Sequence, residues 1–297
     1  GKNDLMGSLL YYIFYGLNWL VTLLPLRVLY VFSDIMFIFL YYFPSYRKDV
    51  VHENLRKSFP EKSPEELKSI SRKFYHHLAD QFVEVLKLTH MSNRELCRRM
   101  KFLNPELTEK ICDSGRDVAV VHSHYNNWEW LTASYPMYTK HRGVGVYKPL
   151  QNKHFEKFMN RLRSRNNASL APMNMIVRQI INNQSKNIRG QYGFISDQTP
   201  AKAEIEYYTT FLNQDTPVFL GIEKIARKYD MAVVILHVEK VKRGYYTITS
   251  ELLFEKTAGL PMYQVTDTHV KRLEEIIKKK PEYWIWTHRR WKYKKTQ

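Results

Sequence analysis

The sequence predicts an α/β domain, a mainly parallel sheet flanked by helices, behind an apolar N-terminal segment. Three observations point there. After Gly115, β-branched runs at residues 117–124, 142–150, 190–197, 231–240 and 245–254 are bounded by Gly, Asp, Asn or Pro. Helical stretches at 128–138, 153–165, 175–184 and 217–229 separate most of them, the alternation expected of a parallel sheet. Ahead of both, residues 5–26 carry no charge. The simplest division is an anchoring segment, 1–45, and one further domain, 46–297.

Taking the elements in order, an uncharged stretch of this length exceeds what a core helix usually needs and suits a membrane span of about 20 residues. It is too long for a signal peptide and has no small-residue cleavage site behind it. Pro25 and Arg27 end it, and a second apolar run reaches Phe43 with Asp34 inside. An acid at mid-bilayer is costly, so this second segment is expected to lie on or dip into the interface. Arg47 and Lys48 then place the rest of the chain on the cytoplasmic side. A helix is expected from Ser63 onward: Ser63 suits the N-cap, Pro64 the first turn and Glu66 the capping box. Leu67, Ile70, Phe74, Leu78, Phe82 and Leu86 follow at helical spacing. Around Arg243 and Gly244 two strands read as a hairpin, which predicts an antiparallel edge.

Forty-six Lys and Arg against 29 Asp and Glu give a formal charge of +17, so a polyanionic partner is expected: nucleic acid, an anionic membrane or a phosphorylated molecule. Cys97 and Cys112, with no CxxC spacing, exclude a cysteine-rich zinc site and a disulfide framework. No helix-turn-helix, RNP or zinc-finger pattern supports nucleic acid, although the aromatic and basic tail, 278–295, has the composition to bind it.

The chemistry concentrates in HSHYNNWEW. His122 and His124 fall at a strand's C-terminal end, where open α/β sheets bind ligands, and Glu129 falls in the first turn of the next helix. A neutral imidazole can take a proton from a hydroxyl, and a carboxylate beside it fixes its tautomer. His124 and Glu129 are therefore expected to form a base–orienter pair. Without a GxSxG elbow or a cysteine in this turn, direct transfer is expected, with no covalent enzyme intermediate. Two other readings stay open: a metal held by His122, His124 and Glu129, and a purely structural histidine pair. The backbone N–H groups of Asn126 and Asn127 are candidate oxyanion donors.

HYNNWE resembles the H-x4-E/D motif of the late lipid A acyltransferases, the lauroyl and myristoyl transferases. RKDVVHENLRKSFPE, VYKPLQNKHFEKFMNRLRSR, FISDQTP and PEYWIWTHRRWK resemble further blocks of that family in the same order. The resemblance implies a glycerol-3-phosphate-acyltransferase-like fold and acyl transfer from acyl carrier protein, or CoA, to a hydroxyl of a lipid A precursor in lipopolysaccharide biosynthesis. Another membrane lipid, an aminolipid or phosphoglyceride, is the alternative acceptor. It also implies no bound cofactor or metal, the acyl thioester being a substrate, and a place at the bacterial inner membrane. Lys148, Arg161 and Arg163 are implied to hold phosphate or sugar, with Asp197, Gln198, His288 and Arg289 completing the substrate site. Lys148 stands where the family usually has Arg; it keeps the charge and loses the planar fork.

Overall fold

The computed structural model describes residues 2–43, 46–164 and 168–295. Two apolar helices come first, α1 (Lys2–Val21) and α2 (Leu26–Tyr42). They are not one rod. The chain turns at residues 22–25, where Lys87 Nζ donates to the carbonyls of Thr22 and Leu24 at 2.8 and 2.9 Å. A buried ammonium at a helix C-terminus satisfies carbonyls the helix leaves unpaired and complements its dipole. Thr22 also meets His90 Nδ1 at 2.8 Å.

The expected spanning helix is not supported: no helix among the described residues is long and apolar enough to cross a membrane. The 17 residues of α2 rise about 25 Å, short of the roughly 30 Å hydrocarbon layer. One face of α2, with Leu26, Leu29, Tyr30, Ser33, Phe37 and Tyr41, is buried in the protein. Its other face leaves Val31, Phe32, Ile35, Ile38 and Phe39 exposed, as α1 leaves Leu10, Ile13, Leu17 and Trp19.

Next come α3 (Lys48–Ser58) and the long α4 (Pro64–Lys87). The expected capping box closes α4: Ser63 Oγ accepts from Glu66 N at 3.2 Å, and Glu66 Oε2 accepts from Ser63 N at 2.7 Å. Then follow α5 (Asn93–Arg99), β1 (Met100–Phe102), α6 (Glu106–Asp113), β2 (Val118–His122), α7 (Trp128–Ser134), β3 (Arg142–Tyr147), α8 (Lys153–Arg163), β4 (Ser169–Pro172), α9 (Ile176–Ser185) and β5 (Gly190–Ile195). The chain ends through β6 (Tyr207–Phe211), β7 (Gln214–Val218), α10 (Gly221–Lys228), β8 (Ala232–Lys242), β9 (Tyr245–Phe254) and α11 (Gln264–Lys279).

Among the described residues the main sheet runs β1-β9-β8-β2-β5-β3-β4. Every pairing is parallel except β8 with β9, so the α/β expectation holds. The antiparallel hairpin lies one strand in from the edge, because β1 covers β9. The segment 217–229 is not helical throughout. Pro217 and Val218 belong to β7, which pairs only with β6 in a two-stranded ribbon where a proline costs no central ladder bond.

The center of the sheet is dry. β2 is buried along its whole length, with Val118, Val120 and Val121 at most 2% exposed. A continuous apolar pair of layers there explains the unbroken β-branched run, since a strand covered on both faces has no reason to alternate.

Candidate active site

β2 and β5 are parallel neighbours, with His122 opposite Ile195. Carried two residues past the strand ends, that register sets His124 beside Asp197 at the sheet's C-terminal edge. The contact is made twice. His124 Nδ1 lies 2.7 Å from Asp197 Oδ1, and the His124 backbone N–H donates to Asp197 Oδ2 at 2.8 Å. Trp284 Nε1 donates to the same Oδ2 at 2.8 Å.

Asp197 is 3% exposed. Burial alone would raise its pKa, but the facing His124 and the hydrogen bonds from His124 and Trp284 hold it down at about 2. An ionised carboxylate only accepts, so the His124 proton sits on Nδ1 and Nε2 keeps its lone pair. Gln198 Nε2 lies 3.1 Å from that Nε2, and Trp128 packs edge-on to the ring at 4.9 Å.

The partner is thus Asp197, and not Glu129 as the sequence spacing suggested. Asn127 caps α7 by accepting from Trp130 N at 2.9 Å, which starts the helix one residue before Glu129. The Glu129 side chain leaves that first turn toward α8. There Arg163 grips it with two bonds, Nε to Oε2 at 2.7 Å and Nη2 to Oε1 at 2.5 Å, while Trp128 Nε1 adds a third at 3.2 Å. The paired fork suits arginine.

The turn is held from behind. Asn126 adopts a left-handed φ of 55° and donates through Nδ2 to Val238 O at 2.6 Å, while Gln81 donates to its carbonyl. Its backbone N–H goes to Tyr283 O at 2.9 Å, which removes it as an oxyanion donor. Asn127 Nδ2 donates at 2.6 Å to Glu84, a fully buried carboxyl that also accepts from Tyr30 and Tyr246. Burial raises the Glu84 pKa, partly offset by those phenol donors.

Of the residues expected at the site, His124, Glu129, Lys148, Arg163 and Gln198 line one cleft of about 380 Å³, a size suited to a ligand site. Asp197 stands behind His124. Arg161 points elsewhere and donates to Tyr15 on α1 at 3.2 Å. His288 Nε2 accepts from Thr199 N at 3.1 Å and so braces the turn after Gln198. Its pKa is pushed down to about 4, by burial first and then by Arg290. Arg289 is exposed, whereas its neighbor Arg290 is 2% exposed. Sequence reading missed Trp128, Trp284, Met173, Ile195 and Phe219, which pack around the pair or the cleft. Of these only Trp284 carried a signal, the density of aromatics in the C-terminal block.

A metal held by His122, His124 and Glu129 does not fit the geometry, since Asp197 and Arg163 already occupy His124 Nδ1 and the Glu129 carboxylate. Nor do Trp284 and Trp286 offer bases a face to stack on, being 1% and 0% exposed.

The family model for the bacterial lipid A biosynthesis acyltransferase matches residues 3–293. The chain belongs to that family. It is also 23% identical over 285 residues to the lipid A biosynthesis lauroyltransferase of Escherichia coli (strain K12), covering 93% of this chain and 89% of that protein. Membership makes the chain an acyltransferase of lipid A biosynthesis.

Proposed function

We propose that the chain moves a fatty acyl group from a thioester, on acyl carrier protein or CoA, to a hydroxyl of a lipid A precursor. The observation that carries this reading is His124, pinned through Nδ1 to an ionised Asp197, with Nε2 facing the cleft and met only by the Gln198 amide among the described residues. The acceptor hydroxyl displaces the Gln198 amide and gives its proton to Nε2. Its oxygen attacks the thioester carbonyl, the new C–O bond forms, the C–S bond breaks, and the thiolate leaves with the proton from the imidazolium. Asp197 offsets the charge on the ring during the step.

Arg163, locked by Glu129, and Lys148 supply positive charge for phosphate or sugar on the acceptor. The first carbons of the acyl chain lie against the sheet under α7. Gly145 and Gly193 are paired there across β3 and β5, and with Gly143 they line an apolar recess beside Leu131, Pro136 and Leu170 that shares His122 and Arg163 with the cleft. The exposed apolar faces of α1 and α2 rest on the cytoplasmic face of the bacterial inner membrane, in place of a spanning helix.

Transfer in mixed micelles tests this, with acyl carrier protein and CoA thioesters as donors and a lipid A precursor or a phosphoglyceride as acceptor. Mass spectrometry is expected to show one added acyl group on the lipid A precursor and none with His124→Ala. Acylation of the phosphoglyceride alone would replace the acceptor, and full activity of a folded His124→Ala would remove the base.

A further inference from the structure

A second depression of about 490 Å³ lies away from the catalytic cleft. It is walled by Phe37 of α2, Arg72, Lys73 and His77 of α4, Lys240 of β8, and Tyr283. His77 is 3% exposed, and its Nδ1 lies 3.2 Å from Lys240 Nζ. An ammonium has only protons to give, so Nδ1 accepts. Burial first, then the nearby Lys240 and His76, keep the ring neutral, and its own proton therefore sits on Nε2. Among the described residues that buried donor has no hydrogen-bond acceptor, and the Tyr283 ring stands edge-on to it at 4.8 Å.

The charges around it are unevenly matched. Asp80 and Asp34 are taken up by Arg243, with Lys240 and His76 also in contact. Arg72 and Lys73 are exposed and form no ion pair among the described residues. Glu282 is the carboxylate left at the rim. An unmet buried N–H beside free cations calls for a compact anion with several acceptor oxygens. One wall is α2, whose outward face exposes Ile35, Ile38 and Phe39. A phosphate carried on a lipid headgroup would meet this wall where interfacial basic residues ordinarily meet it.

We propose that this depression is a phosphate-binding site separate from the acyl-transfer cleft, filled by a lipid headgroup phosphate or by free phosphate. The test uses the full chain with ¹⁵N-labelled histidine, the His77 Nε2–H resonance being assigned by its loss in His77→Gln. Inorganic phosphate is titrated against chloride at constant ionic strength. In a second arm, phosphatidylglycerol or phosphatidylcholine vesicles are added and binding is followed by sedimentation.

A His77 N–H shift with inorganic phosphate identifies free phosphate as sufficient. A shift and sedimentation with phosphatidylglycerol alone assign the site to a headgroup. In either case Arg72→Gln with Lys73→Gln is expected to weaken binding about tenfold or more. The charge-matched pair Lys110→Gln with Lys186→Gln should change it less than about twofold, as these exposed residues lie outside the depression. Silence of His77 toward both probes, or equal weakening by the two double variants, overturns the proposal.

Discussion

Asp197→Asn separates the two carboxylates that could serve His124. Asp197 Oδ2 accepts from both the His124 backbone and Trp284, so the oxygen of an asparagine is held on that side. Its NH₂ then replaces Oδ1 and faces His124 Nδ1, 2.7 Å away in the native chain. A donor in that place turns Nδ1 into an acceptor and moves the ring proton to Nε2, where it blocks uptake of the substrate's proton. The imidazolium also loses its counter-charge. At hydrolase triads the same exchange costs about 10⁴ in kcat, equivalent to about 5.5 kcal/mol of barrier.

For this chain a fall in kcat of about 10³ to 10⁴ is expected, with KM for the acceptor within about threefold, because nothing is removed from the cleft wall. Glu129→Gln should do the opposite. Its carboxylate meets Arg163 and Trp128, so the loss loosens the Arg163 fork and raises acceptor KM more than it lowers kcat. Initial rates in mixed micelles, read by mass spectrometry across acceptor concentrations, give both parameters. A near-normal kcat in folded Asp197→Asn, with a thousandfold loss of kcat in Glu129→Gln, would refute the assignment and restore the pairing suggested by sequence spacing.

Three further expectations concern stability. Arg163→Met leaves the 8% exposed Glu129 side chain without its cation and should cost about 3 to 5 kcal/mol in urea unfolding; a loss under 1 kcal/mol would show that the pair is not needed for the fold. His269 is 2% exposed, and burial pushes its pKa down to about 4. The unfolded chain takes up this proton first, near pH 6.5, so the contribution is intact above that pH and about 3 kcal/mol is lost as pH falls toward 4. His269→Leu should flatten the change in unfolding free energy between pH 7 and 4.5, and an unaltered pH dependence would contradict the sign. Lys87→Met removes both donors at the turn of residues 22–25 and should speed hydrogen exchange there while α7 stays protected; uniform exchange across the chain would mean that the turn does not open by itself.

Local chemistry was legible and long-range pairing was not. The Ser63 and Glu66 capping box could be read directly, because its partners are three residues apart. So could the strand of 118–122, whose β-branched run reflects burial on both faces. β7 could not: Gln214, Asp215 and Pro217 are poor strand formers, and the segment pairs only because β6 folds back on it. At the site, His124 and the ligand edge of the sheet were evident from a strand meeting a helix. Glu129 is the carboxylate nearer in sequence. The actual neighbor, 73 residues away, depends on β2 lying beside β5 in a particular register, which no local pattern specifies. Likewise the resemblance pointed to the HRR block, yet which arginine turns inward follows from how Thr199 and His288 meet.

The Glu84 carboxyl has a bearing on how the molecule can be cut. It gathers a phenol from α2, an amide from the turn after His124 and a phenol from β9 around a single buried group. Asp80, one helical turn earlier, takes the Ser33 hydroxyl from α2 in the same way. Truncation at residue 45 to make a smaller protein would strip one donor from each of these acids and open them on one side to water. Such a fragment should lose rigidity first at Asn127, beside the histidine, so a soluble truncated version is a poor stand-in for kinetics even where its sheet survives intact.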